Sequence, residues 1–227
     1  MAKLTHLGLI MDGNRRWAKK RGLPTLEGHR RGYNKLKQVT QWCIDARIEI
    51  LTVYAFSTEN WNRKASEVKY LMNLFRYALT KDINEIDNQG ARVKIIGQKE
   101  KLAPDLLEMI AKAEKQTENN KKLLFNIAIS YGGRPDILQA IKKIVKQKIA
   151  AEKITEQLIS KNLWTEGIAD PDLIVRTSGE QRLSNFLTWQ SAYSELIFIN
   201  KHWPEFNQKD LSLIVAEYNH RQRRFGR

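Results

Sequence analysis

With 227 residues, 42% of them hydrophobic, and a formal net charge of +14, the chain has the size and composition of one globular domain whose core needs no covalent staples. A single cysteine, Cys43, excludes a disulfide framework within one chain and fits a reducing compartment. No apolar run is long enough to span a bilayer, and the first strand signal begins so near Met1 that no secretory leader is expected, which predicts a cytoplasmic protein.

The first element is the apolar run Leu7–Met11, a buried strand. It leads directly into Asp12-Gly13-Asn14-Arg15-Arg16-Trp17, a carboxylate, a glycine turn and two guanidiniums at a strand end. Cys43 then falls in a helical apolar pattern with Leu36, Val39 and Ala46 and reads as core filler. A second strand, Ile50–Phe56, runs into Ser57-Thr58-Glu59-Asn60-Trp61-Asn62-Arg63. Val68, Leu71, Met72, Phe75 and Leu79 follow as one helical stripe. After the strand Val93–Gly97, Pro104 suits a first helical turn. The strand Leu123–Ile129 is followed by Gly132-Gly133-Arg134 and by a second stripe, Ile137, Leu138, Ile141, Ile144 and Val145. The short strand Leu173–Val175 precedes Arg176-Thr177-Ser178-Gly179-Glu180. Beyond the last strand, Leu196–Ile199, the segment Asn200–Pro204 leads to a C-terminal helix from near Gln208.

Helices between strands imply an α/β fold with a mostly parallel sheet covered on both faces, here six strands in a single domain over 1–227. The polar clusters after the first, second, fourth and fifth strands would then emerge on one sheet edge, where open α/β sheets bind ligands and helix N-termini add positive dipole ends. Four independent loops would be the bland alternative; their convergence favours a shared active site.

The positive charge calls for an anionic partner: nucleic acid, an anionic lipid surface or a phosphorylated small molecule. Zinc spacing, an RNA-binding aromatic signature and a basic helix joined to heptads are all missing, so no nucleic-acid partner is expected. Nucleophile-elbow, Walker and dinucleotide glycine motifs are missing too. What remains is arginine for phosphate, hydroxyls and amides for hydrogen bonds, and carboxylates for a hard cation such as Mg²⁺.

His6–Ala18 (HLGLIMDGNRRWA), Tyr54–Arg63 (YAFSTENWNR), Asn126–Arg134 (NIAISYGGR), Arg176–Phe186 (RTSGEQRLSNF), Trp189–Glu195 (WQSAYSE) and Arg223-Arg224-Phe225-Gly226 closely resemble, in order, the motifs of the cis-prenyltransferases, in particular the bacterial undecaprenyl diphosphate synthases. The resemblance spans nearly the whole chain. It implies a six-stranded sheet wrapped by helices, an apolar tunnel between sheet and helices with the Val68–Leu79 stripe as a wall, and a homodimer. The implied reaction is Mg²⁺-dependent addition of isopentenyl diphosphate to an allylic diphosphate, typically farnesyl diphosphate, with cis double bonds.

Carried over by residue, the resemblance makes Asp12 the metal ligand and Glu195 a second acidic metal position. Gly13, Asn14, Arg15, Arg16 and His29 would hold the allylic diphosphate, with Trp17 and Trp61 beside the substrates. Ser57, Thr58, Glu59, Asn60 and Arg63 would lie between the two substrates, with Asn60 at the position often assigned as proton acceptor. A carboxamide is a very weak base, so orienting a water or leaving the proton to a diphosphate oxygen is the better reading. Arg176, Arg182, Leu183 and Ser184 would take isopentenyl diphosphate. The ending Arg224-Phe225-Gly226 resembles a tail that reaches the neighbouring subunit's site.

Three positions depart from better-known bacterial patterns: Arg15 for glycine, Thr25 for an arginine, and Gln181 for a histidine. The family also contains non-catalytic accessory subunits, but these lose the aspartate and much of the phosphate set, whereas Asp12, Asn60, Arg63, Arg176 and Arg182 are all present. Undecaprenyl diphosphate, the cell-wall lipid carrier, is the default product, with shorter and longer chains as alternatives. Its apolarity implies peripheral contact with the membrane surface.

Overall fold

The computed structural model describes residues 3–221, and in it the apolar runs become six strands. They are β1 (His6–Ile10), β2 (Ile50–Ser57), β3 (Ala91–Ile96), β4 (Leu123–Tyr131), β5 (Leu173–Arg176) and β6 (Glu195–Phe198). Their order is β3-β4-β2-β1-β5-β6, and every neighbouring pair is parallel. The expectation of a mostly parallel sheet is met by a wholly parallel one. Parallel neighbours need crossovers, and these are supplied by α1 (Asn14–Lys20), α2 (Thr25–Asp45), α3 (Ala65–Tyr77), α4 (Ile83–Gln89), α5 (Pro104–Gln116), α6 (Gly133–Lys146) and α7 (Glu156–Asn162). The last helix, α8 (Gln208–His220), follows β6.

Strand alternation divides the core. Leu7 and Leu9, Leu51 and Val53, Val93 and Ile95, and Leu173 and Val175 enter one large cluster with residues of α2, α3, α5 and α8. Ile10, Ile96, Ala128 and Ile174 point the other way, against Phe186 and Leu187. Full burial of each leucine, isoleucine, valine or phenylalanine here is worth about 1.5–3 kcal/mol. The second face also carries a polar string. Asn126 Nδ2 donates to Thr52 Oγ1 (3.1 Å), Thr52 Oγ1 meets His6 Nε2 (2.7 Å), and His6 Nδ1 meets the Ala169 carbonyl (2.6 Å). A carbonyl can only accept, so Nδ1 carries the proton and Nε2 accepts from Thr52.

The stripe expected on α6 is rotated. Its buried face is Gly133, Asp136, Ala140 and Ile144, whereas Leu138, Ile141 and Val145 are exposed. Asp136 turns inward because Tyr131, Gln139, Gln190 and the Trp164 amide all donate to its carboxyl.

The topology creates the site. The chain leaves β1 toward β2 and leaves β5 toward β6, on opposite sides. Such a reversal opens a crevice at the carboxyl ends of the two adjacent strands.

Candidate active site

Asp12 and Arg176 face each other across that crevice. Arg176 Nη2 donates to Asp12 Oδ2 at 2.8 Å, Arg16 Nη2 lies 2.9 Å from the same oxygen, and the Gly13 amide donates to Oδ1 at 2.6 Å. The set closes into a ring: Arg16 to Glu180 (2.7 Å), Arg182 to Glu180 (2.5 Å), and Arg176 Nη1 back to the Arg182 carbonyl (2.6 Å). Desolvation alone would raise the Asp12 carboxyl, but hydrogen bonds and charge from Arg176 and Arg16 outweigh it and hold the group below its ordinary value.

Behind the loop, Thr177 Oγ1 and the Trp203 amide both donate to the Asp12 carbonyl, at 2.6 and 3.0 Å. Gly13 has φ +101°, and a Cβ there would sit 2.7 Å from His202 Nδ1 and 2.8 Å from Ser178 Oγ. Only glycine allows this turn to lie on the Ser178–His202 pair, itself joined at 2.8 Å. Ser178 adopts φ +81°, a costly conformation for a residue with a Cβ.

On the other side of the loop a second cluster centres on Glu67. Its Oε1 lies 3.0 Å from His29 Nε2 and 3.0 Å from Arg63 Nη1, and Arg15 approaches Oε2 at 3.9 Å. Burial lowers the His29 imidazole, with Glu67 as a partial offset. Burial would raise the Glu67 carboxyl, but His29 and Arg63 overcome this and lower it. Between the clusters is a cavity of about 530 Å³, where the cations Arg15, Arg16, Lys19 and Arg63 face the single carboxylate of Asp12.

After β2 the chain forms a 3₁₀ turn, Thr58–Asn62. The Ser57 amide donates to Asn60 Oδ1 at 3.1 Å, which orients the carboxamide and leaves its NH₂ end as a donor. Asn185 binds this turn to the glycine loop after β4: its Nδ2 donates to Glu59 at 3.0 Å, its Oδ1 accepts from the Arg134 amide at 2.9 Å, and its carbonyl accepts from the Gly133 amide at 2.7 Å.

The cationic cavity adjoins an apolar one. Met11, Asn14 and His29 line both, and the second pocket continues between α2, α3 and the end of β2, past Tyr33, Leu36, Ala55, Leu71, Leu74 and Phe75. Leu71 and Phe75 belong to the stripe expected as a tunnel wall; Val68, Met72 and Leu79 pack into the core instead.

The sequence and the fold are both matched among known proteins. The family described as "Putative undecaprenyl diphosphate synthase" covers residues 10–226. The chain belongs to this family. It is therefore a prenyltransferase by descent, and its relatives are named accordingly. A ditrans,polycis-undecaprenyl-diphosphate synthase of Legionella pneumophila, described as (2E,6E)-farnesyl-diphosphate specific, is 43% identical over 97% of this chain and 94% of its own. An isoprenyl transferase of Streptococcus thermophilus is 46% identical over 97% and 92%. Among solved structures, lavandulyl diphosphate synthase from Lavandula x intermedia in complex with dimethylallyl diphosphate superposes with a TM-score of 0.95 at 36% identity, covering 99% of each chain. A "probable undecaprenyl diphosphate synthase" from Campylobacter jejuni gives 0.84 at 30%, covering all of both.

The candidate site brings some of the residues expected there together and leaves others apart. Glu195 does not join Asp12. It is level with Leu173 and Leu7 at the amino end of the sheet, whereas Asp12 lies beyond the carboxyl end, on the order of 15 Å away along the strands. Its carboxylate takes Arg221 at 2.8 Å, so the two acids do not form one metal site within a chain.

Arg176 is not an open phosphate arm. It is 4% exposed and spends its Nη1 on Ser184 Oγ (2.7 Å) as well as on the Arg182 carbonyl. Arg182 is the exposed guanidinium of that group, and Leu183 packs against the second core cluster. Neither tryptophan is among the residues lining these two cavities: Trp61 donates to Ser130 Oγ at 2.9 Å and meets Phe56 edge to face, while Trp17 lies under Arg21 at 4.5 Å. Thr25 lines the cationic cavity, and Gln181 is exposed. The Arg224-Phe225-Gly226 ending lies outside the described residues.

A magnesium ion fits this donor set in one way. Among the described residues no three His, Cys, Asp or Glu side chains cluster as a metal cage. Mg²⁺ commonly takes one or two carboxylates and completes its shell with water and substrate phosphates, and Asp12 among arginines offers that arrangement. Glu67 and His202 escaped the sequence reading, while Ser178, Glu180 and Asn185 lay within its clusters and motifs without an individual role. Arg63 precedes α3 with extended backbone, so its 3.0 Å contact with Glu67 on the first turn of that helix had no periodic signal; the Ser178–His202 pair comes from separate loops and had none either.

Proposed function

We propose that this prenyltransferase extends an allylic diphosphate, farnesyl diphosphate by preference, with isopentenyl diphosphate to a cis-polyprenyl diphosphate such as undecaprenyl diphosphate. The observation that carries the reading is the junction at Met11, Asn14 and His29, where a cationic cavity and an apolar one share a wall. That pairing suits an amphiphile with an anionic head and a hydrocarbon tail. The farnesyl preference follows the name of the Legionella relative.

In this reading Arg15, Arg16, Lys19 and Arg63 bind the allylic diphosphate, and Arg182 with Ser184 engages the isopentenyl diphosphate. The allylic C–O bond breaks and its electron pair leaves with the diphosphate. The isopentenyl double bond supplies the pair for the new C–C bond, and loss of a proton restores a double bond. Mg²⁺, when bound, neutralises charge on the departing group, and Asp12 is the residue that would hold it. Asn60 contributes a hydrogen-bond donor, because its oxygen is turned to the Ser57 amide and its NH₂ group is left over. A diphosphate oxygen is then the better proton acceptor.

A homodimer belongs to the same proposal, and the exposed apolar stripe Leu138, Ile141 and Val145 supports an association face. Peripheral membrane contact would serve release of an apolar product. Among the described residues no helix is long and apolar enough to cross a membrane.

The test is incubation with radiolabelled isopentenyl diphosphate and geranyl, farnesyl or geranylgeranyl diphosphate, with and without Mg²⁺, followed by chain-length analysis. Mg²⁺-dependent label in cis-polyprenyl products, greatest with farnesyl diphosphate, is expected; no incorporation with any primer overturns the reading.

A further inference from the structure

One side chain ties the turn after β2 to the loop that follows β5. Asn185 accepts the Arg134 amide through Oδ1 at 2.9 Å and the Gly133 amide through its carbonyl at 2.7 Å, and its Nδ2 donates to Glu59 Oε1 at 3.0 Å. The partners fix which way the carboxamide points, because a backbone N–H can only donate and a carboxylate accepts. The first two bonds act as a cap. Gly132 gives α6 no side-chain cap of its own, and Asn185 satisfies two amides left open at that end.

The third bond reaches the turn that carries Asn60. Burial would raise the Glu59 carboxyl, but hydrogen bonds from its own amide, Asn185, Ser57 and Thr58 outweigh it and lower it. Asn185 and Thr58 also meet over Gly132, where a Cβ would lie 2.6 Å from Asn185 Nδ2 and 2.8 Å from Thr58 Oγ1. On the other side of Asn185, Ser184 Oγ accepts from Arg176 Nη1 at 2.7 Å. Ser184 and Asn185 both have positive φ, +50° and +67°. Asparagine visits this region more readily than most residues; for serine it is costly, and such strain gathers at functional sites that over-determine their geometry.

We propose that Asn185 is a positioning residue for condensation: acting through Glu59, it holds the Ser57–Asn60 turn in line with the isopentenyl diphosphate site at Arg182 and Ser184. The inference rests on the elongation reading above. Arg15, Arg16 and Lys19 grip the allylic diphosphate without Asn185, so loss of the Glu59 bond disturbs the alignment of the two substrates and leaves capture of the first intact.

The test is steady-state condensation of labelled isopentenyl diphosphate with farnesyl diphosphate, alongside thermal melts. Asn185→Asp keeps both acceptors for α6 and places a negative charge at a helix N-terminus, which favours it, but it cannot donate to Glu59 and repels it. Its Tm should equal or exceed that of the wild type, while kcat falls about tenfold or more and KM for farnesyl diphosphate changes little. A residue that only capped α6 would move Tm and leave kcat. Adding Glu59→Gln supplies an NH₂ group opposite the new carboxylate, so the double variant should regain the kcat of Glu59→Gln alone. Wild-type kcat in Asn185→Asp, or a loss that Glu59→Gln does not restore, overturns the inference. Should Asn185→Asp fail to fold, Asn185→Ala in a Glu59→Ala background carries the test: per folded enzyme it should lower kcat no further than Glu59→Ala alone, and an added loss overturns the inference. A wild type that incorporates no label overturns the elongation reading instead.

Discussion

Asp12 Oδ2 lies 2.8 Å from Arg176 Nη2, so the loop after β1 and the end of β5 are joined by an ion pair whose cation is 4% exposed. Truncating one partner of such a pair strands the other charge. From sequence, Asp12→Ala is expected to remove a metal ligand and leave the fold intact. The geometry revises this: the alanine variant should lose condensation and also about 3 kcal/mol of stability. Asp12→Asn, which keeps a hydrogen-bond acceptor, should lose condensation by about 100-fold or more with a smaller fall in Tm. Initial rates and thermal melts separate the two effects, and near-wild-type turnover by the asparagine variant would remove Asp12 from the reaction.

Ser178 offers a test of backbone strain. At φ +81° a side chain costs about 1–2 kcal/mol, while the bond to His202 at 2.8 Å returns about 1 kcal/mol. Ser178→Ala keeps the strain and loses the bond, so it should be about 1 kcal/mol less stable than wild type. Ser178→Gly loses both and should lie close to wild type. Urea midpoints in the reverse order would contradict this account.

Asn60 separates turn stability from chemistry. Asn60→Ala removes the acceptor for the Ser57 amide and should cost about 1 kcal/mol. Asn60→Asp keeps the acceptor, so its Tm should match the wild type. It lacks the NH₂ donor and adds a negative charge beside anionic substrates, so its condensation rate should fall about tenfold or more. Wild-type rates in the aspartate variant would show that the NH₂ group takes no part.

His6 should govern acid stability. Burial lowers its imidazole from 6.5 to about 4, against partial offsets from the Ala169 carbonyl and Asp172. Between those values the unfolded chain binds a proton that the folded chain does not, so stability decreases as pH falls through this window. The loss from this group approaches about 3 kcal/mol by its lower end. Denaturant titrations from pH 7 to 4 should show the slope, and His6→Gln should flatten it.

Much of this was legible in the residues. Strand limits read from apolar runs differ from the structure by one or two residues, as with Leu7–Met11 against His6–Ile10, because a strand buried on both faces leaves a continuous signal. The cluster order along one sheet edge followed from parallel topology alone. Less legible was anything set by a distant partner. Periodicity made α6 amphipathic, but its buried side was decided by Asp136 and its donors from Trp164 and Gln190. Glu195 matched a motif, yet register places it at the opposite edge. Motif identity carries no information about which end of a strand a residue occupies.

The wall shared by the two cavities has a consequence for selectivity. Met11, Asn14 and His29 form a boundary only a few side chains wide between charge and hydrocarbon. A molecule that fills both compartments must change from polar to apolar within that width. The protein thus measures the abruptness of its ligand: a diphosphate attached directly to an isoprenoid satisfies it, and the same head and tail separated by a polar spacer would not.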